Sequence, residues 1–162
     1  MIIHYMQDRD RALPLSPIPR KNWEIDAYPV NKIAEYVQDV SQGDIDVLVE
    51  EYYNKYDMIL DGRDPEEFKK HVAVQAGIEI GFERFLEEKN YQAIVTHFGD
   101  LGSLKQLPGL AIQRLMEKGY GFGGEGDWKT AAMGIEAVYI DGDTTIRNLQ
   151  NELRWNSMYF SK

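Results

Sequence analysis

Cysteine is absent from the 162 residues, which excludes a disulfide scaffold and every thiolate metal site, structural zinc included. Net positive charge is absent too: Lys and Arg total 18 against 27 Asp and Glu, a formal charge of −9 at pH 7. Bulk attraction to nucleic acid or an anionic membrane needs a net basic face, so neither is an expected partner. No apolar run approaches the roughly 18 residues that a membrane helix requires. The opening Met1–Arg9 has no basic stretch followed by an apolar one, so it does not read as a secretory signal. No Ser lies in a nucleophile-elbow pattern, which leaves covalent acyl chemistry without support. These absences describe an acidic protein suited to a reducing cytoplasm.

What is present is ordinary globular material, 43% hydrophobic and 28% charged, at a length that fits one domain. Met1–Lys21 stands apart. Pro14, Pro17 and Pro19 fall close together among basic residues, so the segment reads as an irregular tail with a short strand over Ile2–Met6. From Trp23 the text becomes regular. Glu24–Val30 is a short strand, and Asn31 is placed to cap a helix carrying Ile33, Val37 and Val40. After Gly43 a second helix opens at Asp44, with Ile45, Leu48, Val49 and Tyr52 on one stripe. Asp64-Pro65-Glu66-Glu67 is a strong helix start, and that helix runs to about Lys89 before Asn90 stops it. Gln92–Phe98 is apolar enough for a strand covered on both faces. A short helix holding Leu110, Ile112, Leu115 and Met116 closes at Gly119. Tyr120–Asp127 reads as a loop before a helix at Trp128, then a strand over Glu136–Asp141 and a last helix over Thr144–Asn156. Strands alternating with helices predict an α/β fold of three layers, with a mainly parallel sheet and helices on both faces.

Two places could carry chemistry. The stretch Gly119–Thr130 formally contains G-x-G-x-x-G, but a helix precedes the glycines where the dinucleotide fingerprint needs a strand, so a nucleotide site is rejected. What remains is a glycine-rich loop presenting Glu125 and Asp127. Their oxygens suit a hard divalent cation or proton transfer, while the plainer reading makes Asp127 a cap for the next helix. The second place is the end of the central strand, where His97 and Phe98 stand. Ligands of parallel α/β sheets collect at carboxyl ends of strands, although a strand-end imidazole and a core aromatic explain the pair equally well. His71 reads as a residue of a helix surface, and His4 carries no argument.

The runs Leu104–Ala111, Gln113–Met116, Gly119–Phe122 and Gly124–Ala132 together resemble the bacterial L-arabinose isomerases. Ala27–Val30 and the helices to Asn90 are similar to that family's central domain. Tyr139–Asp141, Asp143-Thr144 and Leu153–Asn156 resemble its extreme C-terminus. The resemblance therefore divides the chain into a tail at 1–21, a central-domain-like part at 22–133, and a C-terminal strand and helix at 134–162.

The resemblance implies a fold like that of the fucose isomerases and a metal-dependent conversion of L-arabinose to L-ribulose, with Mn²⁺ preferred. It implies a metal held by two glutamates and two histidines, with the glutamates also moving the proton through an enediol. Glu125 corresponds to the first of those glutamates, as ligand and acid–base group. Phe98 corresponds to a substrate-pocket phenylalanine, and Asp127 is a neighbouring acidic residue of the same pocket. The other glutamate and both histidines have no counterpart, since no His follows His97. The expectation is thus a truncated L-arabinose isomerase, inactive by itself and binding Mn²⁺ weakly if at all. Its expected partners are copies of itself or a full-length isomerase. The alternative is an interaction or sugar-binding domain that keeps the oligomer surface.

Overall fold

A computed structural model describes residues 2–8, 23–97, 99, 101–132 and 134. The elements run β1 (Ile2–Asp8), β2 (Trp23–Pro29), α1 (Val30–Gln38), α2 (Gln42–Lys55), α3 (Pro65–Glu88), β3 (Ala93–Thr96), α4 (Gly109–Glu117) and β4 (Gly121–Gly124). A further helical stretch takes in 128–132 and 134. The strand expected over Glu136–Asp141, the helix over Thr144–Asn156 and Phe98 lie outside the described residues.

The α/β class holds. The sheet order is β2-β1-β3-β4. β1 pairs antiparallel with β2 and with β3, whereas β3 and β4 are parallel. It follows that β2, β3 and β4 all point the same way and that β1 alone runs against them. The short strand expected at Ile2–Met6 is present as Ile2–Asp8 and lies between β2 and β3 in the sheet. Side-chain alternation along β3 divides the layers. Ile94, with Phe122 opposite it, joins the core made with α1, α3 and α4. Ala93 and Val95 point the other way, against Ala131 and Trp128 of the last helical stretch.

The helices start where their chemistry allows. Ser41 accepts a hydrogen bond from the Asp44 amide at 3.1 Å and caps α2. Asp64 caps α3 through the Glu67 amide at 2.9 Å, with Pro65 at the first helical position. Asn90, at φ 58°, ends the following turn in a left-handed conformation that Asn tolerates better than most residues. Two expected boundaries move. α2 begins at Gln42, so Gly43 lies inside its first turn rather than separating two helices. α1 begins at Val30, preceded by Pro29, and Asn31 does not cap it. The Asn31 Oδ1 instead accepts from the Ser103 amide at 3.0 Å, tying the loop after β3 to the start of α1. Gly102 makes that approach possible, because a Cβ there would meet Asn31 Oδ1 at 2.3 Å.

α3 is the central helix and is buried on two sides. Ile78, Phe82, Phe85 and Leu86 face the sheet core, while Val72 and Ala76 pack with Val49 and Tyr52 of α2. Burying one of these large side chains contributes about 1.5–3 kcal/mol. Between the two apolar sides runs a polar line, Gln75 and Glu79, one helical turn apart and both buried.

Candidate active-site edge

Because β2, β3 and β4 share a direction, their carboxyl ends meet at one edge of the sheet. Thr96 of β3 is in register with Gly124 of β4, so His97 and Glu125 leave neighbouring parallel strands side by side. α1 also begins at this edge, and the loop after β3 is held to it by the Asn31 and Ser103 bond. Such an edge is the usual place for a ligand in an open α/β sheet.

The loop expected over Tyr120–Asp127 is in its first half a strand. Its glycines offer no side chain to pack and are poor strand formers, but main-chain hydrogen bonds to the neighbouring strand hold it, beginning with Gly121 N–H to Gln92 O at 2.9 Å. Close approach requires the glycine at 123: a Cβ there would lie 1.9 Å from the Asp127 carbonyl oxygen. The chain turns sharply after β4, with Glu125 at φ 53° and Gly126 at φ 86°. The Asp127 amide donates to Gly124 O at 3.0 Å and the Trp128 amide to Gly126 O at 2.9 Å, closing the turn. Glu125 is exposed at its tip. Of the three non-glycine residues with positive φ among the described residues, the other two are Asp61 and Asn90, types that visit this region several-fold more readily.

Asp127 takes the capping position. Its Oδ1 accepts from the Thr130 amide at 3.0 Å and its Oδ2 from the Thr130 hydroxyl at 2.5 Å. His97 is exposed, and its Nδ1 accepts from the Gly99 amide at 2.9 Å. The proton of the neutral ring is therefore on Nε2. Thr96 is buried at the strand end, and its hydroxyl has no hydrogen-bond partner among the described residues. His71 lies on the exposed surface of α3 as expected, bonded through Nδ1 to Gln106 at 2.8 Å.

The family description "L-arabinose isomerase central domain" matches residues 19–141. The chain belongs to this family. The chain is 44% identical over 124 residues to the L-arabinose isomerase of Geobacillus kaustophilus, covering 76% of this chain and 25% of the relative. It is 47% identical over 121 residues to that of Serratia proteamaculans (74% and 24%). With L-arabinose isomerase 1 of Clostridium acetobutylicum the identity is 49% over 111 residues (68% and 23%). The chain thus spans about a quarter of the length of the curated relatives it matches.

The donor set of the described residues does not by itself fit a metal. Among the described residues no three His, Asp or Glu side chains converge closely enough to hold an ion. Around Glu125, the nearest candidates by sequence are already engaged: Asp127 with Thr130, and His97 Nδ1 with Gly99.

Sequence reasoning missed the buried polar residues of the central-domain core. Glu79 is fully buried. Its Oε2 accepts from the Tyr52 hydroxyl at 2.5 Å and from Arg114 Nε at 3.3 Å, and its Oε1 is ion-paired with Lys118 at 2.9 Å. Arg114 continues to Glu51, and Lys118 to Glu83 at 2.5 Å. Burial works against the charge on Arg114 and Lys118, but their hydrogen bonds and nearby carboxylates outweigh it and raise both above their ordinary ranges. Burial, then the Glu79 charge, pushes the Tyr52 phenol well up. Gln75 replaces the missing cap of α4: its Oε1 accepts from the Leu110 and Ala111 amides at 3.2 and 3.4 Å. The signal was a helical stripe with Gln and Glu at i and i+4 where apolar residues flank both sides.

Proposed function

We propose that this chain contributes the Glu125-bearing edge of an L-arabinose isomerase active site. One observation carries the reading. In a chain of this family, Glu125, which by resemblance corresponds to the family's motif glutamate, is exposed at the tip of a left-handed turn at the carboxyl end of parallel strands. A non-Asn, non-Asp residue in that backbone region costs about 1–2 kcal/mol, and a functional demand explains its retention.

The chemistry follows from a carboxylate in that place. An aldose–ketose isomerisation breaks the C2–H bond of L-arabinose, and the electron pair forms the C1=C2 bond of an enediol. As that bond forms the C1=O π pair moves to O1, which takes up a proton. The C2 hydroxyl gives up its proton as the C2 carbonyl forms, and a proton is delivered to C1, so that in net the hydroxyl proton passes from O2 to O1. Glu125, ionised, would take the C2 proton and return one to C1. Phe98 would supply an apolar wall to the sugar. No step is assigned to Mn²⁺, because the described residues do not assemble a seat for it. Its other ligands, in this reading, come from outside them, through assembly with further copies or with a full-length isomerase in the cytoplasm.

The test is turnover. Purified chain with Mn²⁺ and L-arabinose should form no detectable L-ribulose, and should co-elute with an intact isomerase in size-exclusion chromatography. Measurable turnover by the chain alone that disappears in Glu125→Gln would overturn the dependence on outside ligands. Elution unaffected by the isomerase would favour the remaining reading, an independent sugar-binding domain.

A further inference from the structure

We infer that Asp127 is a positioning residue for Glu125, holding its turn in place through the cap it makes at the start of the following helix. The inference rests on the reading of Glu125 as the working carboxylate, and it moves Asp127 from a pocket residue to a residue acting through another.

The geometry is a closed set of constraints around two residues. Glu125 and Gly126 both sit at positive φ, a conformation the chain leaves unless something on each side fixes it. On the strand side the fixing group is Gly124, whose carbonyl oxygen receives the Asp127 amide at 3.0 Å. On the helix side it is Asp127 itself. Both of its carboxylate oxygens are used on Thr130, at 3.0 Å to the amide and 2.5 Å to the hydroxyl, while its carbonyl receives the Ala131 amide at 3.3 Å. Asp127 thus ties the turn to the first coil of the helix with both its side chain and its main chain. That helix is docked on the sheet, with Ala131 fully buried against Ala93 and Val95 of β3. The Asp127 carbonyl also rests over Gly123, where no Cβ would fit. Glu125 is therefore held from the sheet, from the helix and from beneath, and the carboxylate of Asp127 is the member of this set that a substitution can remove without touching the backbone.

A cap and a ligand make opposite demands on the side chain. Capping needs an oxygen acceptor of the right length, which Asn supplies nearly as well as Asp and Ala does not. Binding a cation or polarising a sugar hydroxyl as a base needs the negative charge, which Asn lacks. The experiment uses the full chain, labelled with ¹⁵N, and needs neither metal nor sugar. It reads the intraresidue amide–Hα coupling by NOE at Glu125, strong only where φ is positive, and the hydrogen-exchange protection of the Thr130 amide in wild type, Asp127→Asn, Asp127→Ser, Asp127→Ala and Thr130→Val. In Asp127→Ala this strong NOE coupling at Glu125 should weaken toward that of a negative-φ residue and Thr130 protection should fall by about fivefold or more. Asp127→Asn should keep both signals, and Thr130→Val should keep the amide bond while weakening the turn. If Asp127→Ala does not fold, Asp127→Ser and Thr130→Val still decide the matter. A Glu125 coupling unchanged in Asp127→Ala, or lost in Asp127→Asn as fully as in Asp127→Ala, would overturn the proposal. Because Glu125→Gln should leave the turn signals intact, a failed isomerase reading shows in turnover and a failed positioning role shows here.

Discussion

Replacing Glu125 by glycine should make the chain more stable while removing the group on which the proposed chemistry depends. The side chain is exposed and makes no hydrogen bond or ion pair among the described residues, so its loss takes no contact with it. The backbone at φ 53° carries a penalty of about 1–2 kcal/mol for an L-residue with a Cβ. Glycine relieves that, but costs about 0.5–1 kcal/mol more in unfolded-state entropy. The difference is a gain of about 0.5–1 kcal/mol. With a urea slope of about 2 kcal/mol/M, the unfolding midpoint should rise by about 0.3–0.5 M with the slope unchanged. Glu125→Val should move the other way, since a β-branched residue is a steric outlier at positive φ. A midpoint that falls in Glu125→Gly would mean that the side chain supports the fold, and the argument that function keeps a costly residue there would fail.

Other outcomes follow from the core. Glu79→Gln leaves Arg114 and Lys118 facing an uncharged amide inside the protein and should cost about 3 kcal/mol in urea unfolding; a loss under about 1 kcal/mol would show that Glu51 and Glu83 suffice. Gln75→Leu orphans the Leu110 and Ala111 amides and should cost about 2–3 kcal/mol, with exchange of those two amides rising first. The phenols of Tyr52 and Tyr91 are both raised, chiefly by burial, and Lys118 is raised by Glu83 and Glu79 against its burial. Groups raised on folding stabilise fully below their unfolded values and lose that contribution as pH climbs, so stability should hold from neutral pH to about 10 and fall beyond it. A fall beginning near pH 8 would contradict this.

The sequence made the helices legible where local chemistry decides them. Asp64, Pro65 and Asn90 mark α3 because capping, a fixed φ and tolerance of left-handed backbone are properties of single residues. β3 was legible because an apolar run of that length is a buried strand. β4 was not, since glycines carry no pattern, and only the main-chain bonds to the neighbouring strand make Gly121–Gly124 a strand. The place of β1 between β2 and β3 was equally hidden, because pairing is a long-range fact. At the site, the resemblance singled out Glu125, and the fold adds what a motif lacks: a direction, a neighbour in His97 and a turn whose φ values set it apart. Of the two readings of Asp127, the cap became visible once its oxygens were seen on Thr130.

The distribution of charge also bears on where the chain meets others. Arg114 and Lys118 lie at the end of α4, just before β4 begins, so the Glu79 network sits toward the amino edge of the sheet. There each buried charge has an opposite charge in contact. A closed network of that kind holds α2, α3 and α4 in one arrangement and asks nothing of a partner. The carboxyl edge is the reverse. It offers an exposed carboxylate on a strained turn and a buried Thr96 hydroxyl without a hydrogen-bond partner among the described residues, beside a loop pinned to α1 by Asn31. Strain and an unsatisfied polar group are features that collect at functional sites. In the proposed reading the surface completed by a further chain is therefore the edge that bears Glu125, and the rest of the domain is the frame that keeps it there.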